Sequence, residues 1–219
     1  MRATDIMHPE DAKAIQIIKG VPGYEQLIRM FMKLGYEAQY RGENMANHIR
    51  VTTESFPEIY RLFKTVVAKV GIQEPELYIY NDPEMNAYTY GETNTFIALS
   101  SGAVEKMNGE ELMGIISHEC GHILCRHTLY STMFKTLTEM GSVFGVIHRT
   151  LFAPLYLALQ YWNRKSELSA DRCAAVVVDE EVYQSALVKL ASGLKDVTGK
   201  ARRLVEQGKQ YESFKSSSL

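Results

Sequence analysis

Residues 108–129 constrain the fold of this 219-residue chain more than any other stretch. Asn108-Gly109-Glu110-Glu111 has the spacing of a capping box, in which side chains at the two ends satisfy each other's free backbone N–H groups. An apolar turn follows, Leu112-Met113-Gly114-Ile115-Ile116, and then His118-Glu119-Cys120-Gly121-His122. The pattern predicts one helix running to about Leu129. Positions i and i+4 on a helix differ by about 40° in azimuth, so both imidazoles leave the same face one turn apart. The apolar turn places that face inside the protein. Gly121 carries no side chain, so a second element can approach closely there. A second element is therefore expected to pack closely against this helix.

Two imidazole nitrogens held this way can share one tetrahedral Zn²⁺. Glu119 lies about 60° to 100° round the helix from them. From there it reaches a metal-bound water without occupying the same coordination site, and can take that water's proton. This His-Glu-x-x-His pattern is the zinc-protease signature. With 6 His and 20 Glu in the chain, about 0.015 chance matches are expected for such a composition. Cys120 points elsewhere and reads as a small buried apolar residue.

A catalytic metal needs a third protein ligand and an open position. His127 lies five residues beyond His122, about 140° round a continuing helix, and so points away. Cys125 and Thr128 stand where another zinc-protease pattern needs Gly and His. Glu167 and Asp171, one turn apart in Glu167-Leu168-Ser169-Ala170-Asp171, are the remaining candidates. Glu167 can bind the metal, while Asp171 can accept a hydrogen bond from a ligand imidazole and fix its tautomer. Ala170 leaves room for close helix packing. On spacing alone, an ordinary charged helix face is the simpler reading of Glu167.

The order Asn86-Ala87-Tyr88, strand, short loop, His118-Glu119-x-x-His122, then Glu167-x-x-x-Asp171 resembles the M48 peptidases over roughly residues 55–180. These are gluzincins that include the CAAX prenyl proteases. His8-Pro9-Glu10-Asp11 and Pro22-Gly23 look like the lead-in of soluble bacterial members. The resemblance implies one Zn²⁺ per chain, held by His118, His122 and Glu167. It implies Glu119 as general base and Asp171 as orienter of a ligand histidine. It also implies peptide or protein substrates. Tyr88, Tyr130, Tyr161 and Arg164 are candidates to stabilise the oxyanion, a role gluzincins give to a cleft Tyr, His or Arg; packing is the simpler role for each.

The other elements are read from period and punctuation. Short helices are expected at 12–18 and 24–34, a helix at 57–70 capped from Ser55 and stopped by Gly71, and strands at 77–80 and 95–99. Further helices are expected at 155–178, 180–194 and 200–208. The class is α+β: a mainly helical zincin-like domain with one small sheet. Residues 1–54 read as an N-terminal helical segment, packed or appended, and 55–219 as the metallopeptidase domain. Residues 95–99 are expected to form an edge strand along the cleft, where an extended substrate adds to the sheet.

The charge balance, 24 basic against 26 acidic side chains, excludes the basic surplus of a nucleic-acid binder. The opening residues lack the apolar run of a secretory signal. Three cysteines fit a reducing compartment. The stretch 141–162 contains His148, Arg149 and Pro154 and falls short of a spanning helix. The expectation is a cytoplasmic enzyme whose membrane association is improbable. Two alternatives stand beside it: a binding or scaffold protein that keeps zinc structurally with its peptidase chemistry lost or latent, and a peripheral membrane protease using 141–162 as an interfacial helix.

Overall fold

The computed structural model describes residues 1–24, 26, 28, 36–197, 203 and 206–207; side chains at 36–37, 39–40, 136 and 139–152 lie outside the description. The helices expected at 24–34 and 200–208 fall largely outside it too. Among the described residues, eight helices surround one four-stranded sheet, a mainly helical α+β arrangement. The order is α1 (Ala3–Ile6), α2 (Pro9–Lys19), α3 (Tyr36–Asn47), β1 (Ile49–Arg50), α4 (Pro57–Val70), β2 (Glu76–Tyr80), β3 (Ala87–Tyr90), β4 (Phe96–Ser100), α5 (Ser101–Lys106), α6 (Gly109–Leu124), α7 (Thr128–Val177) and α8 (Glu180–Ser192).

Local chemistry sets most of these boundaries. Pro57 opens α4, where its missing N–H and fixed φ suit the first turn. Gly71 closes it at φ 78°, a conformation that L side chains resist. Phe63, Val66, Val67 and Val70 form its buried stripe. The expected Ser55 cap does not form. Phe56 is the cap residue, and the Ser55 hydroxyl donates to the Arg50 carbonyl at 2.7 Å.

The sheet runs β1-β2-β4-β3. β2 and β4 are parallel, while β3 pairs antiparallel with β4 in the register Tyr88 to Ala98 and Thr89 to Ile97. This corrects the edge-strand reading of 95–99. β4 is hydrogen-bonded on both sides, and all five of its residues are buried. An uninterrupted apolar run such as Phe96-Ile97-Ala98-Leu99 marks a strand covered on both faces, not one left at an edge. The outer position next to the cleft belongs to β3.

The motif helix is also shorter than expected. α6 ends at Leu124, and Arg126 takes a left-handed φ of 57°. The His127 N–H reaches back to the His122 carbonyl at 2.9 Å. The chain thus turns before α7 begins, and His127 folds back toward the motif.

α7 is one helical run of 50 residues with Pro154 inside it, where a separate helix beginning near 155 was expected. It is not a straight rod. Tyr130 and Trp162 are 32 positions apart, about 48 Å along a straight helix, yet their ring centroids lie 5.2 Å apart. Phe134 and Tyr156 stack at 5.6 Å. The two arms of α7 therefore run antiparallel, and the chain reverses between Leu137 and Leu155. Ala14 and Ile18 of α2 join Met133, Leu155, Leu159 and Trp162 in the core between these arms. A larger core lies under the sheet, between α4, α6, α8 and the end of α7.

Candidate metal centre and active site

The site is built on α6. The capping box forms: Asn108 Oδ1 accepts the Glu111 N–H at 2.9 Å, and Glu111 Oε2 accepts the Asn108 N–H at 2.8 Å. Glu111 also accepts from the Ser185 hydroxyl at 2.8 Å and from Lys189 Nζ at 2.7 Å, which ties the start of α6 to α8. Burial alone would raise the Glu111 carboxyl, but Lys189, the Asn108 N–H and Ser185 hold it below its ordinary value.

One turn after its apolar stretch, α6 presents His118 and His122. Their Nε2 atoms are 3.2 Å apart. The second arm of α7 crosses α6 at Gly121, where an added Cβ would sit 2.8 Å from the Cys173 Cβ and 3.0 Å from the Ala170 Cα. That close crossing brings Glu167 over the histidines. Its Oε2 lies 3.3 Å from His118 Nε2, and its Oε1 lies 3.7 Å from His122 Nε2.

These donors fit a metal ion. With bonds of about 2.0–2.1 Å, a tetrahedral ion separates its ligand atoms by about 3.3 Å. The two imidazole nitrogens, 3.2 Å apart, are close to that spacing, and the two Glu167 oxygens face them, Oε2 at 3.3 Å from His118 Nε2 and Oε1 at 3.7 Å from His122 Nε2. Among the described residues, His118, His122 and Glu167 form the group able to hold one ion.

The far nitrogens of both rings are engaged. His118 Nδ1 donates to Asp171 Oδ1 at 3.0 Å, and the Tyr183 hydroxyl donates to the same oxygen at 2.6 Å. His122 Nδ1 lies 3.0 Å from His127 Nδ1. Burial alone would lower the His118 imidazole. Hydrogen bonds to Asp171 and Glu167, with the charges of Glu119 and Glu167, outweigh it and raise the ring to about 10. Those carboxylates exert the same pull on any cation placed among them. Burial, with His118 and His127 nearby, pushes His122 well below its ordinary value and keeps it neutral.

Glu119 is 6% exposed, and its Oε2 accepts the Thr89 hydroxyl at 2.6 Å. Burial raises its carboxyl, against the opposing pull of His118 and Thr89. One wall of the surrounding cleft is β3 together with Asn86 just before it. Ser131, Phe134 and Lys135 of the first α7 arm, and Tyr183, Leu187 and Leu190 of α8, line the rest. Lys135 Nζ lies 4.6 Å from the Tyr90 ring centroid.

Of the four oxyanion candidates, Tyr88 lines the cleft. Tyr130 is buried, with its hydroxyl 3.1 Å from that of Tyr24. Tyr161 lies beneath Lys165, and neither it nor Arg164 is among the cleft-lining residues. Tyr183 and Thr89 were missed by sequence reasoning. Each sits on a different element from the motif, with no spacing to link it.

A family model described as peptidase family M48 matches residues 53–216. The chain belongs to peptidase family M48. M48 peptidases are metal-dependent, in keeping with the donor cluster above. This M48 chain is 27% identical over 222 residues to the chloroplastic plastoglobule-localized metallopeptidase 48 of Arabidopsis thaliana. The alignment covers 99% of this chain and 64% of that protein. The M48 model begins after β1, so α1 to α3 lie outside it. Among the described residues, no helix is long and apolar enough to cross a membrane.

Proposed function

We propose that this M48 protein is a zinc-dependent endopeptidase acting on peptides or proteins. The observation that carries the reading is the convergence of the His118, His122 and Glu167 donors beside the buried Glu119 carboxylate. His118, His122 and Glu167 hold the ion. When bound, zinc supplies Lewis acidity, polarising the scissile carbonyl and acidifying water.

The chain's own residues do the rest. Glu119 takes a proton from the attacking water at a carboxylate oxygen and returns it to the leaving amine. Thr89 orients that carboxylate through its 2.6 Å hydrogen bond. Asp171 fixes His118 with its proton on Nδ1, which leaves Nε2 free for the metal. Tyr183 braces Asp171 from α8.

Substrate lies extended along β3. That strand pairs with β4 on one side only among the described residues, and its other edge borders the cleft. Main-chain groups of an extended peptide can pair there, with alternate side chains entering the cleft. The catalytic unit is residues 55–219, with α2 of the N-terminal segment packed onto it. Cys120, Cys125 and Cys173 are buried and unbridged, which suits a reducing, cytoplasmic compartment.

Chelation and reconstitution test the proposal. Chelated protein should lose turnover of a quenched peptide library and regain it at one Zn²⁺ per chain. Full turnover with less than a tenth of an equivalent of metal would refute it.

A further inference from the structure

Asp11 is a carboxylate at 0% exposure, contributed by α2 from outside the matched family region. Its Oδ1 accepts the Trp162 Nε1–H at 3.1 Å. Its Oδ2 accepts the Ser169 hydroxyl, and lies 2.9 Å from His127 Nε2. Ser169 in turn accepts the His8 N–H at 2.9 Å. His127 is also at 0% exposure, and its other nitrogen faces His122 Nδ1 at 3.0 Å. A buried carboxylate is expensive unless it is fully hydrogen-bonded. This one is satisfied by His127 in the turn after α6 and by Trp162 and Ser169 of α7, and the contacts run through His127 to a candidate metal ligand.

With one proton on each of His127 and His122, the donor and acceptor roles along this chain follow one by one. A carboxylate only accepts, so His127 must carry its proton on Nε2. The Nδ1 of a neutral His127 is then an acceptor. His122 must therefore carry its proton on Nδ1 and donate. That leaves the lone pair of His122 on Nε2, the atom 3.2 Å from His118 Nε2 and 3.7 Å from Glu167. Asp171 holds a proton on His118 Nδ1 in one step; for His122 it takes two, through His127 and Asp11.

We propose that Asp11 is a positioning residue of the metal centre: through His127 it holds His122 in the tautomer that binds the ion, so the N-terminal helix α2 is part of the site. The inference rests on the metal-centre reading above. It makes α2 more than packing, because a chain lacking residues 1–52 would keep every motif residue and lose the group that orients one ligand.

Asp11→Asn tests it in the full chain with nearly the same volume. If the Asn oxygen keeps the Trp162 N–H, its amide faces His127 and makes His127 Nε2 an acceptor. The proton order then inverts and places a hydrogen on His122 Nε2. Outer partners of ligating histidines are worth about 10- to 100-fold in metal affinity, and a loss of that size is expected in a zinc titration against a chromophoric chelator. Trp162→Phe is the control. It removes another Asp11 partner and core contact, so it should lower the melting temperature but change zinc affinity by less than about threefold. The second readout is histidine ¹⁵N correlation spectroscopy of the metal-free wild type at neutral pH. It should show His122 protonated on Nδ1 and His127 on Nε2, whether or not the variant folds.

A folded Asp11→Asn protein with wild-type zinc affinity would overturn the inference while leaving the metal-centre reading intact. So would parallel losses of affinity in Asp11→Asn and Trp162→Phe, or the opposite tautomers in the wild type. Failure of the wild type itself to bind zinc would overturn both.

Discussion

Gly121→Ala pits two known effects against each other at the crossing of α6 and α7. In an exposed helix interior, Ala is more stable than Gly by about 1 kcal/mol. Here the new Cβ would lie 2.8 Å from the Cys173 Cβ and 3.0 Å from the Ala170 Cα. Carbon atoms pack at about 3.5–4.0 Å, so each contact is short by about half an ångström to one ångström. Ala170 meets the new atom with its backbone, so a rotamer change cannot relieve the clash; the helices must part. Overpacking of this kind costs about 1–3 kcal/mol. The net is about 1 kcal/mol of destabilisation, or a melting temperature lower by about 2–4 °C for a chain of this size. The functional loss should be larger. Glu167 rides on the displaced arm, and an error of about 1 Å in a reacting geometry can cost about 100-fold. Calorimetry and zinc titration on the same sample check both halves. A variant stabilised by the full propensity gain, with unchanged zinc affinity, would refute the claim that this crossing sets the donor spacing.

Two further perturbations follow from buried polar contacts. Thr89→Val removes the hydroxyl that donates to Glu119, whose carboxyl burial already raises. Glu119 must be ionised to take a proton, so the acid limb of the kcat/KM profile should move to higher pH; a fixed or lowered limb would contradict the assigned contact. Lys189→Met strands Glu111 among its remaining partners. Breaking such a buried pair costs about 3 kcal/mol, or about 6–12 °C in melting temperature. The pH dependence has a definite sign. The folded Glu111 carboxyl lies below its unfolded value, so its stabilisation is present above the unfolded value and is lost as pH falls through the folded one. The gap between wild type and variant, followed by thermal melts, should therefore narrow in acid below the ordinary carboxylate range.

Local signals made α6 readable. The Asn108–Glu111 box and the 118–122 spacing act within one helix, where geometry follows from the residue count. The four-residue step from Glu167 to Asp171 was equally regular, but spacing alone could not tell a ligand from a solvated helix face. That reading came from resemblance, and the tertiary crossing at Gly121 is what brings Glu167 to the histidines. The errors arose where a tertiary choice overrode local pattern. His127 is outside the metal donors, as expected, but its direction was taken from a continuing helix, whereas α6 stops at Leu124 and Arg126 adopts a left-handed conformation without the Gly or Asn that would flag it. β4 was placed at an edge because no later strand follows it, but the earlier β3 takes that position. Tyr183 had no readable signal and Asp11 was read only as part of a lead-in, because their partners lie 12 and 116 positions away, on other elements or across turns.

The central claim is that His118, His122 and Glu167 hold the metal while Glu119 moves the proton. Zinc stoichiometry by mass spectrometry, paired with peptide turnover, tests it most directly in Glu119→Gln and Glu167→Ala. Glu119→Gln should keep one zinc per chain and lose turnover, whereas Glu167→Ala should lose both. Full zinc and full turnover in Glu167→Ala, or loss of zinc in a folded Glu119→Gln protein, would contradict the account.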